Sequence, residues 1–477
     1  MLDRFFGLSA NRTRVGTELL AGLTTFLTMA YIIFVQPAVL SGSMFGQPTG
    51  LDFGAVTTAT CLAAALGSVL MGLWGRYPIA QAPGMGENFF FVFSVLPAAA
   101  LVAAENGGSP SEAWQIGLGV VFIAGVLFIV VSALGVQRML MDTIGPSMRN
   151  AIAVGIGLFI AFIGLRNASL VLADPGTGVK LNHQLGSPDL IVFFFGLLVT
   201  AGLRARRVRG SIVWGILAAT ALAAAMKTAV PHLPEAVAGS KLVAESALVT
   251  RFELAEGVLS QPPSIMPTWM KMDLAGAVSL SMIPFILIFL FMDVFDTLGT
   301  LIGVSEQAGL IEDGHLPRMR QALLSDAVAT TAGAALGTST VTSFIESAAG
   351  VEQGGRTGLT AVVVGVLFVA ALFFSPIIAM VGSYPPITAP ALVVVGSLMM
   401  WNVTKIDWSN YAEAMPAFLI VAGIPMTYSI ADGLALGFIA YPIIKLLAGQ
   451  GRDVKWLMYV LALVLAVYLV FIRSQAG

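Results

Sequence analysis

Pro284 to Glu306 read PFILIFLFMDVFDTLGTLIGVSE. The stretch begins as an apolar run of the kind that crosses a bilayer and then places Asp293 and Asp296 inside it. An ionisable side chain in the hydrocarbon core costs roughly 2.5–3.5 kcal/mol on insertion scales. Two residues three apart share a helix face, and an acidic face cannot look at lipid. It must line a cavity, a partner helix or a substrate path. Thr297, Gly299, Thr300 and Gly303 follow, small or hydroxylated residues that let another backbone or a ligand come close. A second polar stretch lies about forty residues on: Gly337 to Gly358, GTSTVTSFIESAAGVEQGGRTG, with Glu346 among Ser, Thr and Gly between apolar segments. The two read as halves of one site.

Composition fixes the class. The 477 residues are 57% hydrophobic and 10% charged, against about 25% charged in soluble domains. Such a chain cannot cover itself with a polar surface, so it is an all-α polytopic membrane protein. A formal charge of −2 and the lack of a basic patch with interleaved aromatics give no footing for nucleic acid. The one cysteine, Cys61, lies in an apolar run, and His183, His232 and His315 fall in connecting segments. No disulfide framework, zinc site or haem site follows from that set, and no cofactor is expected. No strand–GxGxxG–helix context and no GxxxxGK[ST] loop is present, which argues against ATP-driven transport.

Apolar runs near 15–40, 51–75, 113–136, 145–165, 188–204, 210–229, 273–300, 320–337, 357–382, 386–401, 412–430 and 431–448 can each cross a membrane. Segments 78–97 and 338–353 are broken by Gly, Pro and polar residues. A further run, 455–472, either crosses or lies at the interface, with Lys455 and Arg473 at its ends. With the N-terminus in the cytoplasm, Arg76, Arg138, Arg149, the cluster Arg204 to Arg209, Arg318, Arg320, Arg356, Lys405 and Lys445 fall inside. That distribution requires both broken segments to cross. The count is then fourteen crossings: seven in 1–229, an extracytoplasmic loop 230–272, seven in 273–448, and an extra hydrophobic piece in 449–477. An odd number per half inverts the second half. Ala64-Ala65-Leu66-Gly67 and Ala334-Ala335-Leu336-Gly337 precede the two broken segments, 270 residues apart. Inverted repeats with broken crossings in matching positions point to a secondary transporter with its site at mid-membrane.

The chemistry-bearing residues each have a plain structural reading beside the functional one. Asp293, Asp296 and Glu346 can take N–H groups of a ligand and can carry a proton, or can be paired structurally; no Lys or Arg is expected within the apolar part of any crossing. Tyr77 to Pro97 read YPIAQAPGMGENFFFVFSVLP. Pro78, Pro83, Gly84 and Gly86 prevent a continuous helix, and irregular backbone at that depth is tolerated only beside a cavity. Glu87 and Asn88 add polar groups there, and Phe89 to Phe91 offer faces for a flat ligand or simply pack. Thr24, Thr25, Thr28 and Tyr31 share helical spacing on the first crossing, where each hydroxyl can instead bond its own helix. Asp326 is either a helix cap or a proton-relay carboxylate. Glu18, Asp142, Glu413 and Asp432 are expected near the interfaces.

Five stretches carry a resemblance: LAGLTTFLTMAYIIFVQPAVL (20–40), APGMGENFF (82–90), FMDVFDTLGTLIGV (291–304), LGTSTVTSFIESAAGVEQGGRTGLTAVVVG (336–365) and PAFLIVAGIPMTYSIADGLALGFI (416–439). Together they resemble the AzgA-like purine permeases, a branch of the nucleobase–cation symporter-2 (xanthine/uracil permease) family. The resemblance implies a core domain of crossings 1–4 and 8–11 and a gate domain of crossings 5–7 and 12–14. It also implies short strands in broken segments 3 and 10 that meet at mid-membrane. Asp296 and Thr300 match the Glu and His of the uracil and xanthine branches, Glu346 the acid of the tenth crossing, and Asp326 that of the ninth. Taking the residues and the likeness together, the expected substrate site is Asp296, Glu346, Thr300, Asp293, Gly86, Glu87, Asn88, Phe89, Thr25 and Ser347, and proton coupling is expected of Glu346, Asp296 and Asp326. Where the branch reads APGMGLNA, this chain has Glu87 and Phe89, an acid and a ring near the site. The implied function is proton-coupled import of purine bases such as adenine, guanine or hypoxanthine across a bacterial inner membrane, with a second copy of the chain as a partner. Two rivals remain. One is an anion transporter of the same architecture. The other is a membrane-embedded aspartyl enzyme, against which stands the origin of Asp293 and Asp296 in a single helix.

Overall fold

The computed structural model describes residues 2–105, 107–135, 143–311, 316–467 and 469–470. Arg138, Asp142, His315 and Arg473 lie outside the described residues. Within them, 11 helices are long and apolar enough to cross a bilayer, and Tyr411–Thr427 and Trp456–Val467 are shorter apolar helices. Leu134, Leu198, Val366 and Phe373 stand exposed on the outside of the bundle. In water such a surface would aggregate; in lipid it is the expected exterior. The chain is a helical, multi-pass membrane protein.

Several crossings are less regular than the apolar pattern predicts. The run 15–40 is two helices, Val15–Met29 and Ile32–Leu40, separated at Ala30 and Tyr31. The broken segment read as 78–97 runs on as helix to Glu105. Pro97 does not stop that helix: it follows directly on the π turn Phe91–Val95 and stands in the first turn of Leu96–Glu105, where a proline is tolerated. The helix Tyr411–Thr427 ends at Tyr428, which takes a left-handed conformation (φ 56°). The loop after Pro146–Asn167 holds an exposed hairpin, β2 (Val171–Asp174) with β3 (Gly178–Leu181), so the chain is not purely helical. There Lys180 lies 2.9 Å from Asp174 and, with the backbone N–H groups of Gly176 and Thr177, holds the Asp174 carboxyl below the usual carboxylate range.

The two broken segments do form strands. β1 is Gln81–Pro83 and β4 is Val341–Ser343. They pair antiparallel, Gln81 opposite Ser343, Ala82 opposite Thr342 and Pro83 opposite Val341. The pairing extends through Phe344 N–H to Ala80 O (2.9 Å) and Gly84 N–H to Thr340 O (3.1 Å). Proline and glycine forbid a helix on one side; a run of hydroxylated and β-branched residues disfavours it on the other. Backbone groups away from water need partners, and each strand is the other's. Short helices follow both, Met85–Phe90 and Ser347–Glu352.

Close backbone packing sets the second of these in place. A Cβ on Gly350 would collide with Thr25 Oγ1 and lie 2.7 Å from Ala21 O, so the helix Ser347–Glu352 can lie directly on Val15–Met29 only because residue 350 is glycine. Glu18, expected near an interface, is fully buried. It accepts from the N–H groups of Arg356 (2.9 Å), Thr357 and Thr360 and from Thr360 Oγ1 (2.6 Å). It therefore caps the start of the helix Gly358–Ala371, where free N–H groups favour an anion. A buried cation stands at a helix end: Lys445, in the last turn of Ile430–Leu447, pairs with Glu413 at 2.7 Å. Its long stem lets the ammonium leave the apolar part of the helix for the end of its neighbour.

Candidate functional site

A cavity of about 710 Å³ lies beside the paired strands. Its walls come from the broken segments, from Ile283–Ala308, and from the helices Pro146–Asn167, Pro385–Met399 and Ile430–Leu447. Pro146, Trp401 and Lys405 stand at its exposed mouth. A separate hollow of about 330 Å³, lined by Arg166, Asn167 and Pro385, lies at the opposite ends of the same two helices.

Five of the residues expected in the substrate and proton site line the larger cavity: Gly86, Glu87, Asp296, Thr300 and Glu346. Asp296 opens into it, whereas Asp293, one turn earlier, is 2% exposed. Asp293 turns to the neighbouring helix Met319–Leu336, where Thr330 Oγ1 donates to its Oδ2 at 2.9 Å. The two aspartates are therefore not one face of equal members. Asp326 is fully buried and does not line the cavity. It accepts from Gln81 Nε2 (2.6 Å) and Thr297 Oγ1 (2.8 Å), with Ser343 Oγ at 3.5 Å. One carboxylate thus ties β1, β4 and Ile283–Ala308 together, and it is no helix cap.

Four of the residues lie behind the wall rather than in it. Ser347 Oγ accepts from Ala80 N–H at 3.0 Å and helps fasten one broken segment to the other. Asn88 accepts from Ser339 Oγ, and Gln36 Nε2 donates to Thr338 Oγ1 (2.9 Å) and lies 3.1 Å from Ser339 Oγ. Thr25 packs on Gly350. Phe89 is fully buried, stacked on Phe93 with centroids 6.2 Å apart and edge-on to Phe45 and Phe159. Its ring is core, not a face offered to the cavity.

The wall includes residues that the expected site left out. Tyr31, noted only for its spacing, lines the cavity, and its hydroxyl donates to Glu346 Oε1 at 3.0 Å. Phe291 and Phe295 are stacked, centroids 5.9 Å apart, and both line it. Their spacing of four residues on an apolar run was a readable signal of a ring pair on one helix face. Arg149 also lines it, its guanidinium 5.9 Å from the centroid of Phe295, so a cation does stand in the cavity with the acids. Glu87, Asp293, Asp296 and Asp326 lie close enough to act on one another through space. Chemically the site offers carboxylate acceptors, hydroxyls, the backbone at two short helix starts and stacked rings. Among the described residues no group of three or more His, Cys, Asp or Glu is arranged to hold a metal ion.

This geometry can be set beside known proteins. The transmembrane domain of a cyanobacterium bicarbonate transporter, BicA, superposes with a TM-score of 0.59 over 90% of this chain and 97% of that one, at 15% identity. The likeness is one of fold. The guanine/hypoxanthine permease PbuO of Bacillus subtilis is 41% identical over 97% of this chain and 99% of its own length. The adenine permease AdeP of Escherichia coli is 37% identical over 100% of this chain and 97% of its own. The model of the xanthine/uracil permeases, described as the permease family, matches residues 16–474. Matched over almost its whole length, the chain belongs to that permease family and is a membrane transport protein rather than an enzyme.

Proposed function

We propose that the protein is a proton-coupled symporter that imports purine nucleobases such as adenine, guanine or hypoxanthine. The observation that carries this reading is that Asp296 and Glu346, from different elements, face one cavity walled by apolar and aromatic side chains. A purine base is flat, with N–H donors and ring acceptors on its edge. The two carboxylates receive its N–H groups, backbone N–H groups at the two short helix starts meet its acceptors, and Phe291 and Phe295 supply apolar contact. Names borne by similar proteins, guanine/hypoxanthine permease and adenine permease, support the same substrate class.

The same reading takes the chain as fourteen crossings in two inverted sevens, 1–229 and 273–448, joined by 230–272 and followed by 449–477. Strands at equivalent places in the halves that pair antiparallel suit such an inversion. Crossings 1–4 and 8–11 form the core domain, and 5–7 and 12–14 the gate. With the N-terminus in the cytoplasm, the mouth at Pro146 and Lys405 is cytoplasmic. Base favours the protonated site and proton favours the base-bound site, a reciprocal coupling that moves both together. Glu346 and Asp296 are the carriers. Asp326, held by three neighbours, supports them.

Radiolabelled adenine, guanine and hypoxanthine uptake in cells lacking their own carriers tests this. Uptake falls to background in the double variant Asp296→Asn, Glu346→Gln, and accumulation collapses with a protonophore. Concentrative uptake that survives the protonophore sinks the coupling, and a fully active double variant sinks the site. Arg149 in the cavity favours a second reading, transport of a small anion held by its guanidinium. Glu87, Asp296 and Glu346 in the same space weigh against it. Competition by sulfate and dicarboxylates, without competition by purines, would establish it.

A further inference from the structure

We infer that Tyr31 is a positioning residue: its hydroxyl fixes the Glu346 carboxyl on the cavity wall, where the base meets it. The inference rests on the reading that Glu346 receives the base. The first crossing keeps right-handed backbone at Tyr31 (φ −57°, ψ −26°), yet its hydrogen bonding tightens there. Ile33 N–H bonds Ala30 O and Phe34 N–H bonds Tyr31 O, both at 3.1 Å. No glycine or proline stands at 30 or 31 to cause it, and Pro37 is a full turn and more beyond. A short tight turn inside a helix often marks a functional position, and this one carries the side chain that reaches Glu346.

Two consecutive turns of that crossing hold the same residue. Tyr31 OH donates to Glu346 Oε1 at 3.0 Å, and Thr28 Oγ1 lies 3.3 Å from the main-chain oxygen of Glu346. Tyr31 is 2% exposed, so its hydroxyl has no bulk water to turn to. A buried hydroxyl without a partner is costly, and the bond to a carboxylate is of the stronger, charge-assisted kind. With Oε1 engaged, the carboxyl is restrained toward the first crossing. Held there, Glu346 lines the cavity, where a ligand N–H can reach its carboxyl. A phenol can also accept, so Tyr31 stays a partner to Glu346 when that residue carries a proton.

Tyr31→Phe keeps the ring and removes only the hydroxyl. Its KM for the base rises about tenfold or more, the size of one hydrogen bond to a charged group, while the maximal rate changes by less than about threefold. Tyr31→Gln, which restores a donor, recovers part of the affinity. Adding Tyr31→Phe to Glu346→Gln makes KM no worse than Glu346→Gln alone, because the two act through one contact. An unchanged KM in Tyr31→Phe, with only a lowered melting temperature of the purified protein, overturns the inference. An unchanged KM in Glu346→Gln overturns instead the reading on which it rests. If Tyr31→Phe fails to accumulate, Tyr31→Gln decides: full loss of affinity in a protein that folds refutes the donor role.

Discussion

The two broken segments follow one plan and are held in opposite ways. Each runs from a turn into a three-residue strand and then a short helix, and the strands pair with each other. After β1 the chain passes through Met85–Phe90 and a π turn into Leu96–Glu105, wedged by rings: Phe89 against Phe45, Phe93 and Phe159, and Phe90 against Phe285 and Phe289. After β4 the helix lasts six residues and lies on the first crossing through Gly350. One segment is fixed by bulk, the other by its absence. The acids differ accordingly. Glu87 is 3% exposed, folded back over Gly84, whereas Glu346 is partly open to the cavity and held by Tyr31. On the proposed reading, the polar work of the site falls mainly on the half packed through small side chains, and the half filled with rings backs it.

The largest expected effect breaks what the two segments share. Asp326→Leu takes the carboxylate acceptor away from the buried donors of Gln81 and Thr297, costing about 1–3 kcal/mol for each donor left unpaired. Purified variant protein shows a marked fall in melting temperature and no base-dependent shift. A native-like melting temperature would mean that the strands do not depend on this carboxylate. Next, Gly350→Val attacks only the second segment. Its Cβ strikes Thr25 Oγ1 and Ala21 O, an overpacking penalty of roughly 1–3 kcal/mol, and base affinity falls through displacement of Glu346. Gly86→Ala serves as the control, since its nearest contact for a Cβ is 3.2 Å from Ile156, and it changes melting temperature little. The smallest effect sharpens the comparison: Glu87→Leu removes the acid from the ring-packed half. It alters the ratio of KM values for adenine and guanine by about tenfold, the value of roughly 1.4 kcal/mol, without altering stability by more than ~1 kcal/mol. Equal KM changes for both bases would show that Glu87 does not choose between them.

Much of this was legible because bilayer physics is severe. Acids in an apolar run had to face something polar, and Asp296, Glu346 and Glu87 do line one cavity. Pro83, Gly84 and the Thr-Ser run had to interrupt helices, and strands stand there. What stayed hidden depends on partners far along the chain. Nothing local to Glu18 tells that its carboxylate caps a helix that begins at Gly358, nor to Tyr31 that its hydroxyl meets Glu346. Asp293 and Asp296 are equivalent by spacing, and only the neighbouring helix separates them, by offering Thr330 to one. Phe89 was ambiguous because a ring that packs and a ring that stacks on a ligand have the same sequence signature.

The pairing of β1 with β4 joins residues 262 positions apart, Gln81 with Ser343. During synthesis the first of these reaches the bilayer while most of the second half has not been made. Its exposed peptide groups then have no permanent mate in an oily surrounding that supplies none. The nascent chain must shelter that extended piece, with lipid headgroups, the insertion machinery or water, until its counterpart arrives. Truncated products ending before residue 340 are thus stranded half-built rather than independently stable, and quality control will meet them in that form.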